Sequence, residues 1–248
     1  MENNKMEITY IGHSGFLIEW ETCYWLFDYY NGDIPDMDAE KKLLIFVSHK
    51  HADHFNPVIF DLNKKYNHIQ YVLSSDIKLK NDLDMSGIEA EIMNKTITVK
   101  PSQKYLLYDL QDNEIIVKAL KSTDCGIAFL LHYQGKTIYH AGDLNLWMWK
   151  EESKQYNHNM KANFDKEMST LKDVTIDIAF VPLDPRQGEW YYLGLEQLLN
   201  TANVKYVFPM HFWDHPEIIQ QFKRDRIAYM NHAVILDLHQ SGQKWKFD

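Results

Sequence analysis

The sequence predicts an α+β protein built as a four-layer αββα sandwich, two β-sheets face to face with helices covering their outer sides. Three observations carry that expectation. Two segments, GFLIEWETCYWLFD (15–28) and IAFLLHYQGKTIYHAGD (127–143), share one shape: apolar strand, polar turn, second strand, and an aspartate where the second strand runs out. Further apolar runs of strand length lie in both halves and alternate with stretches of helical period. No Gly/Ser/Pro-rich linker interrupts the chain, so residues 1–248 read as one compact domain.

Taken in order, a first strand ends at Gly12, just before His13, and the hairpin 15–28 follows. KLLIFV (42–47) is apolar throughout, as an interior strand covered on both faces would be. Asn56 is a good N-cap with Pro57 at the first helical position, and Ile59, Leu62 and Tyr66 share a face of the helix expected there. TITVK (96–100) and EIIVKAL (114–120) lead to the second hairpin. Met160, Phe164, Met168 and Leu171 mark a helix in the polar stretch 150–173. The strand IDIAFV (176–181) and a helix with Leu195, Leu198, Leu199 and Ala202 inward come next. KYVFP (205–209), a helix from Pro216 with Ile218, Ile219 and Phe222 inward, and AVILDL (233–238) complete the series. These apolar stripes are core, not cofactor-binding faces.

Composition narrows the function. A 45% hydrophobic chain is ordinary for a globular protein, and 35 acidic against 26 basic residues give a net charge of -9, which disfavours a dedicated nucleic-acid binder. The start MENNKMEITY has no basic region followed by an apolar stretch, and no apolar run approaches the roughly 20 residues of a membrane span. A cytoplasmic protein without membrane partners is expected. Cys23 and Cys125 form neither a disulfide framework nor a Cys-x-x-Cys site, which suits a reducing compartment.

Residues 48–54 read SHKHADH, which places His49, His51, Asp53 and His54 directly after an interior strand. Imidazole and carboxylate are ligands that borderline divalent ions accept, so this cluster points to metal. Neighbouring side chains cannot all wrap one ion, and the remaining ligands must come from distant strand ends. Asp143 in YHAGDLN and His211 in FPMHFWDH both stand at such ends, Asp143 where a carboxylate could bridge two ions.

The spacing His-x-His-x-Asp-His with a later Gly-Asp and a late histidine resembles the metallo-β-lactamase-fold hydrolase superfamily. YIGHSGFLI, HAGDLN, VPLDPRQG and PMHF are similar to its branch of zinc-dependent hydrolases that includes ascorbate-6-phosphate lactonase. The resemblance implies that His49 and His51 bind a first metal and Asp53 and His54 a second, with Asp143 bridging both and His211 completing the second. It also implies one more histidine for the first metal, shortly before GIAFLL, and this chain has none there. Asp124 in KALKSTDCG is the expected substitute, with a surface turn residue as the other reading. Cys125 is a softer candidate, but adjacent strand residues face opposite sides, so only one of the two is expected to reach the metal.

Substrate contacts are expected from His13 and His140, each with a structural role as the alternative. Arg186 offers a two-pronged grip on phosphate or carboxylate, with a salt bridge to Asp184 or Glu189 as its alternative. Tyr192, with Tyr191, Trp147 and Trp149, could wall the pocket. The expected enzyme is a dinuclear metal-dependent hydrolase of small-molecule lactones, esters or phosphoesters, its ions zinc, with manganese or iron as alternatives. A hydroxide shared by the ions would attack while Asp53, the catalytic carboxylate, orients it. A phosphodiesterase or nuclease, a mononuclear iron oxygenase and a non-catalytic metal-binding module are the alternatives. The sequence sets no oligomeric state.

Overall fold

A computed structural model describes residues 5–79, 90–226 and 232–247. The first sheet is made by β1 (Met6–Gly12), β2 (Gly15–Glu19), β3 (Cys23–Phe27), β4 (Lys42–Val47), β5 (Ile69–Ser74) and β6 (Thr96–Val99) in sequence order. The second holds β7 (Lys104–Tyr108), β8 (Glu114–Lys121), β9 (Ile127–Tyr133), β10 (Lys136–His140), β11 (Thr175–Pro182), β12 (Asn203–Met210) and β13 (Val234–Ile235). Strand β14 (Lys244–Phe247) returns to pair with β1 and completes the first sheet.

The two sheets have one plan. From β14 through β3 neighbouring strands are antiparallel, and from β3 to β6 they are parallel. From β7 through β10 they are again antiparallel, and from β10 to β13 parallel. The similarity of the two hairpins in the sequence is therefore a similarity of whole sheets, with Asp28 just after β3 and Asp143 just after β10.

Alternation decides which face each side chain covers. In β4, Leu44 and Phe46 join the core between the sheets, while Leu43, Ile45 and Val47 point outward into a second apolar layer. Between the sheets, Phe16 meets Phe180 at 4.3 Å and Phe46 meets Phe129 at 5.4 Å between ring centroids. The outer layer of the first sheet is closed by Phe60, Tyr66 and Ile92, the last from α1 (Ala90–Asn94). Over the second sheet lie α2 (Lys154–Ser169), α3 (Leu193–Thr201) and α4 (Glu217–Asp225); α3 contacts β11, β12 and α2, and α4 buries Ile218, Ile219 and Phe222. The result is the expected αββα sandwich. Among the described residues no helix is long and apolar enough to cross a membrane.

Two expectations need correction. The helix after Asn56 has the expected cap, Asn56 Oδ1 accepting from Val58 N–H at 3.0 Å, but residues Pro57–Lys64 form a 3-10 helix. Its ends close through i to i+3 bonds, Ile59 to Asn56 and Lys65 to Leu62, and the adjacent pair Ile59 and Phe60 is buried together. AVILDL pairs only over Val234–Ile235, because Asp237 turns its carboxylate to Gln220 and Lys223 on α4.

Candidate metal centre

The centre forms where the loops after β1, β3, β4, β10 and β12 meet at one rim of the sandwich. Asp28, with a left-handed φ of 38° at the end of β3, accepts from Ser48 N–H at 2.7 Å and Ser48 Oγ at 2.6 Å, which fixes the start of the SHKHADH loop. His54 and Phe55 N–H both donate to His51 O, and this tight turn carries His54 back under His49. Gly142 must be glycine: its φ is 49°, and a Cβ there would stand 2.6 Å from the Ser48 side chain. That close approach brings Asp143 against the histidines.

Asp143 faces two sets of imidazoles with its two oxygens. Oδ2 lies 3.3 Å from His49 Nε2, while Oδ1 lies 3.2 Å from His54 Nε2 and 3.4 Å from His211 Nε2. Asp53 Oδ2 stands 3.5 Å from His211 Nε2, 3.9 Å from His54 Nε2 and 3.4 Å from His13 Nε2. Asp124 Oδ2 is 3.6 Å from His51 Nδ1. Ligand atoms about 2.1 Å from one tetrahedral ion are about 3.4 Å apart, so nearly all these separations are those of ligands awaiting a shared cation.

The hydrogen-bond inventory agrees. His13, His49, His54 and His211 each leave a buried Nε2 without a partner, as does Asp143 with Oδ1. Buried polar atoms are rarely orphaned, and here they face one another. The opposite ring nitrogens are held instead. His54 Nδ1 donates to Asp28 Oδ2 at 2.8 Å and His211 Nδ1 to Asp184 Oδ2 at 3.0 Å. Ser48 Oγ has given its proton to Asp28, so it accepts from His49 Nδ1 at 2.9 Å. The Nε2 atoms of His49, His54 and His211 are thereby left with their lone pairs turned inward, as metal-binding histidines require.

Electrostatics ask for positive charge. Burial opposes ionisation of Asp143, yet His54, His211 and His49 outweigh it and hold the carboxyl well below its ordinary range. Asp53 is lowered against burial by His13, His211 and His54. Conversely, burial disfavours charge on His54, but Asp143 and Asp28 raise its pKa well above the usual value, and His211 is raised by Asp143, Asp184 and Asp53. The residues present fit a cation, in two adjacent groups: His49, His51 and Asp143, and His13, Asp53, His54 and His211.

The structure thus brings together His49, His51, Asp53, His54, Asp143 and His211, with Asp124 beside His51 and His13 against Asp53. A cleft of about 260 Å³ opens over them, walled by Trp147, Trp149, Tyr156, Met160 and Arg186. Arg186 keeps both its expected and its alternative place, since it lines the cleft while its guanidinium pairs with fully buried Asp184 and stacks over Trp213 at 4.6 Å.

Two expected substrate contacts are corrected. His140 is fully buried, its Nε2 donates to Ser14 O at 3.0 Å, its Nδ1 accepts from Gly142 N–H at 3.2 Å, and its ring stacks on Phe27, so no substrate reaches it. Tyr192 lies outside the cleft beneath Arg226, 3.5 Å from its guanidinium. The 3-10 turn Pro185–Trp190, kinked at Gly188, turns the chain away after Arg186. Asp124 and Cys125 are also not the alternating strand residues expected, because residues 123–126 form a bend. Sequence reasoning missed the orienting role of Asp28 and Asp184, and also Tyr156; an aspartate following each apolar strand was the available signal.

An αββα sandwich with paired histidine-carboxylate clusters at its rim defines the metallo-β-lactamase fold. The chain belongs to the beta-lactamase superfamily: the beta-lactamase superfamily domain matches residues 7–160. It is 27% identical over 240 residues to a UPF0173 metal-dependent hydrolase of Nanoarchaeum equitans, covering 94% of this chain and 97% of that protein. Among solved structures it resembles Igni18, a metallo hydrolase from Ignicoccus hospitalis, with a TM-score of 0.63, 17% identity, and 98% and 99% of the two chains covered. The metallo-beta-lactamase fold protein YhfI from Bacillus subtilis follows with a TM-score of 0.59, 14% identity, and 99% and 100% covered.

Proposed function

We propose that this protein is a dinuclear metal-dependent hydrolase of a small-molecule lactone, ester or phosphoester. The observation that carries the reading is Asp143, one carboxylate presenting Oδ2 to His49 and Oδ1 to His54 and His211. His49, His51, Asp143 and Asp124 would hold a first ion, and Asp53, His54, Asp143 and His211 a second, zinc at both. Such a pair would supply an activated water and polarise the oxygen of the bond attacked.

The chain's own residues do the rest. Asp53, held ionised, is the group that accepts a hydrogen bond from the attacking water and aims it. Arg186, anchored by Asp184, presents its outer guanidinium face to a phosphate or carboxylate of the substrate. Trp147 and Trp149, stacked at 6.1 Å, flank the space for the rest of a small molecule and limit water.

The test is metal analysis of protein purified without added metal, joined to a hydrolysis panel of lactones, aryl esters and phosphoesters. The expected result is two ions per chain, with hydrolysis lost on chelation and restored by zinc. Asp124→Ala should weaken the first ion alone. One iron with oxygen uptake, hydrolysis confined to polynucleotides, or bound metal without hydrolysis would each replace this reading.

A further inference from the structure

The bend between β8 and β9 puts two side chains, not one, beside the first metal position. Ser122 N–H donates to Gly126 O at 3.2 Å and Asp124 N–H to Ser122 Oγ at 3.1 Å, which folds residues 122–126 tightly. Gly126 has a φ of 67° and lies directly on the histidine loop; a Cβ there would stand 2.1 Å from Ser48 O. Ile127 N–H also donates to Ser48 O at 3.0 Å, so the bend is docked on the backbone that carries His49. In consequence one ligand atom each of His51, Asp124 and Cys125 lie within 4.8 Å of one another. Independently, fully buried His49, its Nε2 unpartnered, forms with the same His51 and with Asp143 the adjoining group of ligand atoms.

We propose that Cys125 is a sulfur ligand of the first ion, which suits this position to thiophilic ions such as zinc or cobalt. The inference rests on the dinuclear reading above. On binding, the S–H bond breaks, the sulfur–metal bond forms and the proton passes to solvent. With Asp124 alone as the substitute for an imidazole, the position would favour harder ions such as manganese; a thiolate reverses that preference. Cys23, the other cysteine, is wholly buried between the sheets and competes for no ion there.

The experiment titrates metal-free protein with cobalt(II) and follows the near-ultraviolet sulfur-to-cobalt charge-transfer absorption. The expected result is a band that grows with one of two bound equivalents, and its loss in Cys125→Ser while the other equivalent still binds. Wild-type protein supplies a second measurement: iodoacetamide should alkylate Cys125 in the metal-free chain and be blocked at least tenfold by zinc, with the site read by mass spectrometry. Two bound ions without the band, and alkylation unaffected by zinc, overturn the proposal while leaving the dinuclear reading intact. Failure to bind any ion overturns both.

Discussion

Asp184 is the most exacting place to test how the centre is held. Its fully buried carboxylate accepts from His211 Nδ1 at 3.0 Å, from Arg186 N–H at 2.9 Å, and from the Arg186 guanidinium at 2.5 to 3.0 Å. Burial raises the Asp184 carboxyl, but His211 and Arg186 outweigh it and bring its pKa down to about 2. In Asp184→Asn an amide NH2 replaces one of the two accepting oxygens, and either flip sets it against a donor. A donor stranded in a buried site costs about 1–3 kcal/mol. Losing the partner that orients a metal-binding histidine typically weakens metal by about 10–100-fold, or about 1.4–2.7 kcal/mol. Zinc titration of metal-free protein by calorimetry should therefore show the His211 step weakened by about 10–100-fold, and the His49 step unchanged. An isotherm identical to wild type, or equal weakening of both steps, would refute the claim that Asp184 acts through His211.

Arg186→Ala should raise KM for anionic substrates about tenfold, the worth of a charge-assisted hydrogen bond, with kcat within a few-fold. Tyr192→Phe in the same kinetic series should leave both constants unchanged. Gly126→Ala should lower stability by about 2–4 kcal/mol, because the new methyl meets Ser48 O in a left-handed backbone; a urea midpoint equal to wild type would contradict that. Asp109, remote from the metal centre, accepts from Asn113, Thr22 and Tyr133, which outweigh burial and lower its carboxyl to about 2. Because this folded pKa lies below the unfolded one, its stabilisation is complete above about pH 4 and is lost as pH falls toward 2, about 2 kcal/mol in all. Asp109→Asn should flatten stability across that window in urea titrations at stepped pH.

Legibility in the sequence followed the strength of local constraint. The loop 48–54 was readable because metal chemistry demands its residue types at fixed spacing, and β4 because a strand covered on both faces must be apolar throughout. Strands β7 and β14 lie at sheet edges; β14 alternates lysine with aromatic residues and β7 exposes Lys104, Leu106 and Tyr108, so the apolar signal is short or does not single out a buried face. β5 begins directly after a polar turn and reads no differently from a buried helix segment. His140 and Asp143 lie in one short stretch, yet one is sealed behind Phe27 and the other faces the histidines. Which way each turns depends on the left-handed backbone at Gly142, a feature of tertiary contact with Ser48 and not of local pattern. Tyr192 stands apart from Arg186 for a similar reason, since the kink at Gly188 lies between them.

The shared plan of the two sheets makes the centre depend on both of them. Asp28 and Asp143 occupy corresponding places, each after the fourth strand of its sheet in spatial order, and they face opposite nitrogens of a single imidazole, His54, at 2.8 and 3.2 Å. Neither sheet could hold that ring from both sides by itself, so the centre exists only once the two halves have folded against each other. Asp28 anchors the ring from behind, and Asp143 faces its inward nitrogen.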